Sequence, residues 1–368
     1  FHAADLVVVG TKGEIYLSAV GATNAITNLI VNLFIGLSVG AGVTVAHALG
    51  SRENSVVHNT VHTALPIALV SGSLLTLVGV SFSGTFLRWM GTPDTVLPLS
   101  SLYMKIYFAG ITFTMVYNFC AAILRAAGDT KSPLIFLTAA GVINVLLNLI
   151  FVMVLHMNVA GVALATAISQ ALSAIAVVIV LMKRTDACRL ELKKMRFHKP
   201  QLAKMLRIGM PAGIQSSLFS ISNVLIQSSI NSFGDVLVSG SAAAGNLEGF
   251  LYATVNAFSQ TTVNFVGQNV GARQYRRANK TVWICQSCAL VLGVVISIQS
   301  LYKWYTGSAL EGFTTVILIQ LFSSSIMMIS LGIIGYYVAR IYEEIKGRPK
   351  YIISSTVKSK KKGSVKLK

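Results

Sequence analysis

Residues 235–280 read DVLVSGSAAAGNLEGFLYATVNAFSQTTVNFVGQNVGARQYRRANK. The length and apolar content predict one membrane-spanning helix that ends in a basic cluster of Arg273, Arg276, Arg277 and Lys280. Glu248 is a carboxylate inside this run, and Asn246, Asn256, Gln260 and Asn264 add amides. A charge in hydrocarbon costs about 2.5–3.5 kcal/mol on insertion scales, so it needs a task to be there.

The composition of the chain extends this reading outward. Of 368 residues, 54% are hydrophobic and 11% charged, against about 25% charged in a soluble domain. The mean hydropathy is +0.69. The apolar runs last about 20 residues or more, which favours helices over a β-barrel. Ten segments are predicted, near 1–11, 16–49, 57–84, 96–124, 132–154, 159–183, 206–232, 237–270, 279–304 and 312–340. The first is clipped. A basic linker, KRTDACRLELKKMRFHKPQLAK, fills 183–204, and a Lys-rich tail closes the chain. The net charge of +18 comes from short clusters between apolar runs, as orientation signals do, and does not imply a nucleic-acid partner. With the linker in the cytoplasm, alternation puts Arg52, the Arg125–Lys131 loop, the Arg273–Lys280 cluster and the tail on the same side.

A shift of 221 residues lays Gly13-Glu14 on Gly234-Asp235, Ser38 on Ser259, and Gly50-Ser51-Arg52 on Gly271-Ala272-Arg273. Six segments separate the two copies, so they share topology, which describes a parallel repeat. The expected fold is all-α: a polytopic membrane protein of about ten helices in two pseudo-symmetric bundles around a central cavity. Residues 1–182 would form the first bundle, 183–204 a cytoplasmic linker, 205–345 a partial second bundle, and 346–368 a cytoplasmic tail.

Two acids fall inside apolar segments, Asp5 and Glu248. Glu248 is about 20 Å from Asp235 at 1.5 Å per residue, near the midplane. A group that passes between charged and neutral, or ion-bound and free, is what ion-coupled transport needs. The plain alternative is an acid bonded across helices for packing. Glu14 and Asp235 start helices, where an acid favours the dipole and can cap. Amides recur every four residues: Asn24, Asn28 and Asn32; Asn223, Gln227 and Asn231, with Gln215 upstream; Asn144 and Asn148. That spacing lines one helix face, either as interhelical bonds or as a polar cavity wall. His58-Asn-Thr-Val-His62 has zinc-helix spacing, but Asn59 stands where the general-base Glu would be. Cys285-Gln-Ser-Cys288 lies in an apolar helix and reads as packing. Pro66 and Pro211 fall within spans. No nucleophile–base or metal set is present, so neither an enzyme nor a cofactor is expected.

Several stretches then converge. Ile123-Leu-Arg-Ala-Ala-Gly-Asp-Thr-Lys-Ser-Pro133, Asp5-Leu-Val-Val-Val-Gly10, Asn144-Val-Leu-Leu-Asn148, Gly161-Val-Ala-Leu-Ala-Thr166, Gly209-Met-Pro-Ala-Gly-Ile-Gln215 and Val266-Gly-Gln-Asn-Val-Gly-Ala272 together resemble the multidrug and toxic compound extrusion (MATE) family over roughly residues 3–300. The resemblance implies two six-helix bundles around a V-shaped cavity. It implies export of organic, often cationic or amphipathic compounds in exchange for Na+ or H+. Coupling-ion binding carries over to Asp5, and Leu247-Glu248 matches an Ile-Glu pair of many bacterial members. Arg125, Gly128, Asp129, Pro133, Pro211, Gly267, Gln268 and Gly271 are its motif framework. Substrate-cavity candidates are Asn28, Asn32, Asn144, Asn148, Gln215, Asn223, Gln227 and Asn256. The expected partners are the lipid bilayer and small organic substrates, for a monomer in the plasma membrane.

The chain departs from the family at both ends. It opens on Phe1, and after about residue 305 the match stops, as a fragment or a shifted reading frame would produce. A lipid-linked oligosaccharide flippase of related architecture would need basic residues for a diphosphate, and a non-transporting membrane fragment would need only packing.

Overall fold

The computed structural model describes residues 2–231 and 256–306. It divides into compact units Phe1–Val291 and Leu292–Lys368, and the contacts below belong to the first. Among the described residues every regular element is helical. In order these are α1 (His2–Gly10), α2 (Glu14–Gly50), α3 (Asn54–Trp89), α4 (Leu97–Ala126), α5 (Lys131–Leu149, continued by a π turn over Ile150–Val154), α6 (Asn158–Lys183) and α7 (Lys199–Asn231). A helix over 256–271, α8, and α9 (Tyr275–Tyr305) follow.

Six described helices are long and apolar enough to cross a membrane: α2 to α6, with the π turn, and Tyr275–Gln299 of α9. The seventh predicted segment forms α7 but misses this group, because Lys204, Arg207 and a run of Ser, Gln and Asn dilute its apolar residues. Glu248 and the tenth segment lie outside the described residues. The linker is shorter than the sequence suggests. α7 starts at Lys199, with Pro200 in its first turn, where proline's fixed φ favours a helix and its missing N–H leaves no gap. Glu14 opens α2 as a first-turn acid, but the N-cap is Gly13 and no side chain caps it.

The main core joins α2, α3, α4 and α6, with Phe108, Met115, Phe119 and Leu124 of α4 in the interior. A second cluster packs Val8 and Val9 of α1 against Val20, Tyr103 and Val162 at the opposite end from the linker. α2 crosses α7 at close range. Gly36 abuts Gly213, and Gly40 abuts Met205 and Gly209, so a Cβ at either α2 glycine would overlap α7 backbone. Small residues spaced by four on both helices allow this approach, which is how helices gain packing in lipid.

The linker is built into this fold. Pro66 has no N–H, which frees the carbonyl of His62 one turn earlier. The Arg196 N–H donates to that carbonyl at 3.2 Å. The His62 ring is 1% exposed, and its Nε2 accepts the Glu191 N–H at 3.0 Å. Its Nδ1 therefore carries the proton and donates to the His58 carbonyl at 2.7 Å. Both ring nitrogens are engaged by backbone, which answers the zinc spacing of His58 and His62. Thr63 donates to the Arg196 carbonyl, and the His198 N–H donates to Thr63. Cys188 and Leu190 enter the main core. Burial pushes the Cys188 thiol up to about 12, and the neighbouring Asp186 adds to the rise.

The α4–α5 turn explains part of the LRAAGDTKSP motif. Gly128 takes φ +88, a left-handed turn that ends α4. Asp129 accepts the Ser132 N–H at 3.0 Å and the Ser132 hydroxyl at 2.7 Å, capping α5. The Tyr117 hydroxyl donates to the Pro133 carbonyl at 3.0 Å. Arg184, chelated by Asp186, approaches Asp129 at 3.9 Å. The contacts gather the Ser51 turn, the α4–α5 loop, the linker and the α8–α9 turn, with their basic clusters, at one end of the molecule.

Burial pushes the Asp129 carboxyl up, but the Ser132 amide and hydroxyl, then Arg184, outweigh it and hold the group below the ordinary carboxylate value. A depressed folded value gives stability that is present above the unfolded carboxylate pKa, about 3.9, and lost as pH falls through the folded one. Asp129→Ala is expected to lower stability by about 1 kcal/mol near neutral pH. Thermal melts of the detergent-solubilised chain should show that deficit shrinking below about pH 4. His62→Ala leaves the Glu191 N–H without its acceptor and is expected to cost about 1–3 kcal/mol, with faster tryptic cleavage in the linker as the readout.

Candidate functional site

Asp5 is held on a nine-residue helix and is 1% exposed. Its Oδ1 accepts from Asn148 Nδ2 at 2.7 Å, and its Oδ2 accepts from the Thr166 hydroxyl at 2.9 Å. Behind these, Asn144 Nδ2 donates to Thr166 Oγ1 at 3.1 Å, and Asn148 Nδ2 reaches Asn144 Oδ1 at 3.3 Å. The spacing of four along α5 puts both amides on one face, turned toward α1 and α6. Asn144 to Thr166, Thr166 to Asp5 and Asn148 to Asp5 all run toward the carboxylate, while Asn148 also donates back to Asn144. Hydrogen bonds to a charged acceptor are worth about 1.5–3 kcal/mol, which offsets part of the expense of burying it.

A cavity of about 360 Å³ opens beside the carboxylate. Its walls are Asp5, Thr23, Asn24, Thr27 and Asn28 of α1 and α2, Tyr103 and Tyr107 of α4, and Thr166 and Gln170 of α6. Tyr103 and Tyr107 stack with ring centroids 6.2 Å apart. No Lys or Arg is among these residues. Three buried oxygens around the site have no hydrogen-bond partner: Asn148 Oδ1, Thr27 Oγ1 and Gln170 Oε1. Buried polar atoms are nearly always satisfied, so oxygens left open beside a carboxylate are a donor set for a proton or a small hard cation. Among the described residues no three His, Cys, Asp or Glu side chains cluster as a transition-metal site would require. A second cavity of about 330 Å³, lined by Tyr117, Asn118, Leu137 and Gly141, shares Gln170.

The predicted amide stripes separate. Asn28 lines the cavity and donates to Asn24 at 2.7 Å. Asn144 and Asn148 serve Asp5 rather than the cavity wall. Asn32 donates to Ser220 Oγ of α7 at 3.1 Å, an interhelical bond. Gln215 and Asn256 are exposed and do not line this cavity. Asn223 and Gln227 belong to α7, but their side chains lie outside the described set. The sequence reading missed Thr23, Thr27, Tyr103, Tyr107 and Gln170, and met Thr166 only inside a motif. Each belongs to a pair four residues apart in an apolar helix, and that spacing was the available signal.

About 35 Å along α2 from Thr27, at 1.5 Å per residue, the same helix ends in a seam with α8. A Cβ at Gly50 would meet the Gln268 carbonyl, and one at Gly271 would meet the His47 carbonyl. The shift of 221 maps Gly50 on Gly271 and His47 on Gln268. The contact is therefore reciprocal, as across a two-fold axis. The caps repeat as well. Arg52 and Arg273 have φ of 58 and 57, and the pair Ser51 N–H to His47 O and Glu53 N–H to Ala48 O recurs as Ala272 to Gln268 and Gln274 to Asn269. Gln268 Nε2 donates to the Ala126 carbonyl of α4 at 2.6 Å, which locks the seam to the α4 terminus.

Comparison with known proteins gives a consistent picture. The MatE family model matches residues 1–150 and 211–345, so the family resemblance continues past residue 305, where the sequence reading ended it, as far as 345. The Bacillus subtilis protein named "Probable multidrug resistance protein YpnP" is 33% identical over 54% of this chain and 44% of its own length. "Multidrug export protein MepA" of Staphylococcus aureus strain N315 is 24% identical over 66% of this chain and 53% of its own. The chain thus spans about half the length of these curated relatives. A crystal structure of MATE in the bent conformation superposes with a TM-score of 0.78 at 21% identity, covering 86% of this chain and 72% of that one. A MATE transporter in an outward-facing conformation gives 0.78 at 21%, covering 87% and 72%. With half of the chain and more inside the family model, and six helices apolar enough to cross a bilayer, the protein belongs to the MatE family of multi-pass membrane transporters.

Proposed function

We propose that the protein is a secondary antiporter that exports organic, often cationic or amphipathic compounds in exchange for Na+ or H+. One observation carries this reading: a buried carboxylate, held by Asn148 and Thr166, shares a polar cavity with buried oxygens that have no partner. A coupling cation would take oxygen from Asp5 and from Asn148 Oδ1. A coupling proton would sit on Asp5 and need an acceptor, which Asn148 provides. Either event changes which donors the carboxylate can hold, and so favours one arrangement of α1, α5 and α6 over another. The cavity wall, with one carboxylate, amides, hydroxyls and two stacked tyrosines, suits a cationic or neutral aromatic substrate. Its lack of Lys and Arg disfavours the diphosphate of a lipid-linked oligosaccharide and likewise an anionic cargo.

Alternating access follows from the seam. In this reading α2 and α8, packed at the linker end, close that side, and passage requires the seam to part. In this reading residues 1–182 and 205–345 are the two bundles, and Glu248 is a second coupling acid. The chain works as a monomer in the plasma membrane, with the linker and the tail in the cytoplasm.

Efflux from cells expressing the chain tests the assignment. Asp5→Asn keeps hydrogen-bonding capacity and removes the charge, so efflux is expected to fall about tenfold or more, a typical coupling. Glu248→Gln is expected to lower it in the same direction. Efflux untouched by both changes would sink the coupling role, and no efflux from any version would favour the inert fragment. Gly50→Leu or Gly271→Leu places a side chain where backbone already stands. Efflux should drop about tenfold at normal membrane levels as the seam is held apart, whereas Gly84→Ala, whose Cβ would meet only the Ser101 hydroxyl at an ordinary contact distance of 3.8 Å, should be neutral. Equal efflux in all three would remove the seam from the mechanism.

A further inference from the structure

The linker presents a surface apart from the Asp5 cavity. Between Lys183 and Lys204 stand eight Lys or Arg residues against two acids, Asp186 and Glu191. Both acids are spent locally. Asp186 is chelated by Arg184, and Glu191 pairs with Lys194 at 2.9 Å. Among the described residues no acid pairs with Lys193, Arg196 or Lys199.

The apolar side chains between these cations are turned outward. Leu192 is 45% exposed, Met195 37% and Phe197 48%. Their exposure is enforced, because the backbone polar groups of this segment face the bundle. The Glu191, Arg196 and His198 amides and the Arg196 carbonyl are all taken by His62 and Thr63. The segment is also fixed in height, since it joins the end of one apolar helix, α6, to the start of α7. Apolar and basic side chains interleaved at the mouth of a helical bundle match the two layers of a bilayer interface, acyl boundary and phosphate. Lys199 adds a further sign. It stands in the first turn of α7, where a cation opposes the helix dipole unless an anion lies nearby.

We propose that residues 192–199 form a strap that seats anionic phospholipids of the bilayer. Leu192, Met195 and Phe197 enter the headgroup–acyl boundary, and Lys193, Arg196 and Lys199 pair with lipid phosphates. The preference is for net-anionic headgroups over zwitterionic ones, because the strap carries cations with no compensating acids. This inference is independent of what the protein carries.

The test uses the full chain reconstituted in vesicles, with Phe197→Trp as a reporter above the three native tryptophans. Brominated phosphatidylglycerol or brominated phosphatidylcholine, at equal mole fraction, serves as the quencher. The reporter's added fluorescence should be quenched by both lipids, and more strongly by phosphatidylglycerol. That excess should vanish at high salt and in Lys193→Gln/Arg196→Gln/Lys199→Gln. Each basic residue near an anionic surface is worth roughly fivefold in lipid preference, so the triple change should weaken it on the order of a hundredfold. These are exposed positions, so the variant keeps its fold. A reporter that neither lipid quenches puts the strap in water and overturns the proposal. Equal quenching by both lipids, or an excess unchanged in the triple variant, overturns the headgroup selection.

Discussion

A carboxylate inside an apolar bundle must find its hydrogen bonds within the protein, because the surrounding solvent offers none. Asp5 meets that demand with Asn148 of α5 and Thr166 of α6. The consequence reaches beyond the site. Nine residues of helix do not hold together alone. α1 keeps its place because Val8 and Val9 pack beneath it and the carboxylate ties it sideways to two longer helices. The group that makes the site chemically interesting is thus also the one that fixes the helix carrying it. A change in what Asp5 binds is a change in how α1 is held.

The seam between α2 and α8 obeys a different constraint. Two helix ends approach so closely that Gly50 and Gly271 have no room for a side chain, and each faces the position equivalent to the other's partner. Equivalent glycines, equivalent caps and equivalent left-handed arginines define a repeated framework. The polar chemistry does not repeat. Shifted by 221, Asp5 falls on Ile226 and Glu248 falls on Thr27. Thr27 lines the cavity of the first half, so the position is polar in both copies but acidic in one. Scaffold and chemistry have been specified separately along this chain.

Much of this was legible in the residues. Apolar runs gave α2 to α6 to within a few residues, since a helix in lipid must be apolar for its whole length. Gly128 and Asp129 were legible as part of a motif, and the structure shows them ending α4 and capping α5. Asp5 stood out because acids in such runs are rare. What remained hidden was partnership. The amides Asn28, Asn32 and Asn148 look alike in sequence, yet one lines a cavity, one bridges to α7 and one holds a carboxylate; only the packing of other helices separates them. Pro66 showed in the sequence only as a proline within a span, whereas its physical effect is to free the His62 carbonyl for the linker. The linker itself looked like a tether from its charge. Its backbone bonds to His62 and Thr63 arise from residues more than a hundred positions away, which no local pattern encodes.

α2 ties these features together. Along one helix lie Thr23, Asn24, Thr27 and Asn28 at the cavity, Gly36 and Gly40 against α7, and His47 and Gly50 at the seam. The α7 contact leaves no Cβ-sized gap, so α2 can change its angle there but cannot separate from α7 without losing its tightest packing. A rigid helix pinned at its middle moves its two ends in opposite senses. Close-packed contacts of this kind pass between discrete arrangements rather than deforming smoothly. The position of Pro211, between the two glycines of α7 that receive α2, puts the one helical bond that α7 lacks at that same pivot.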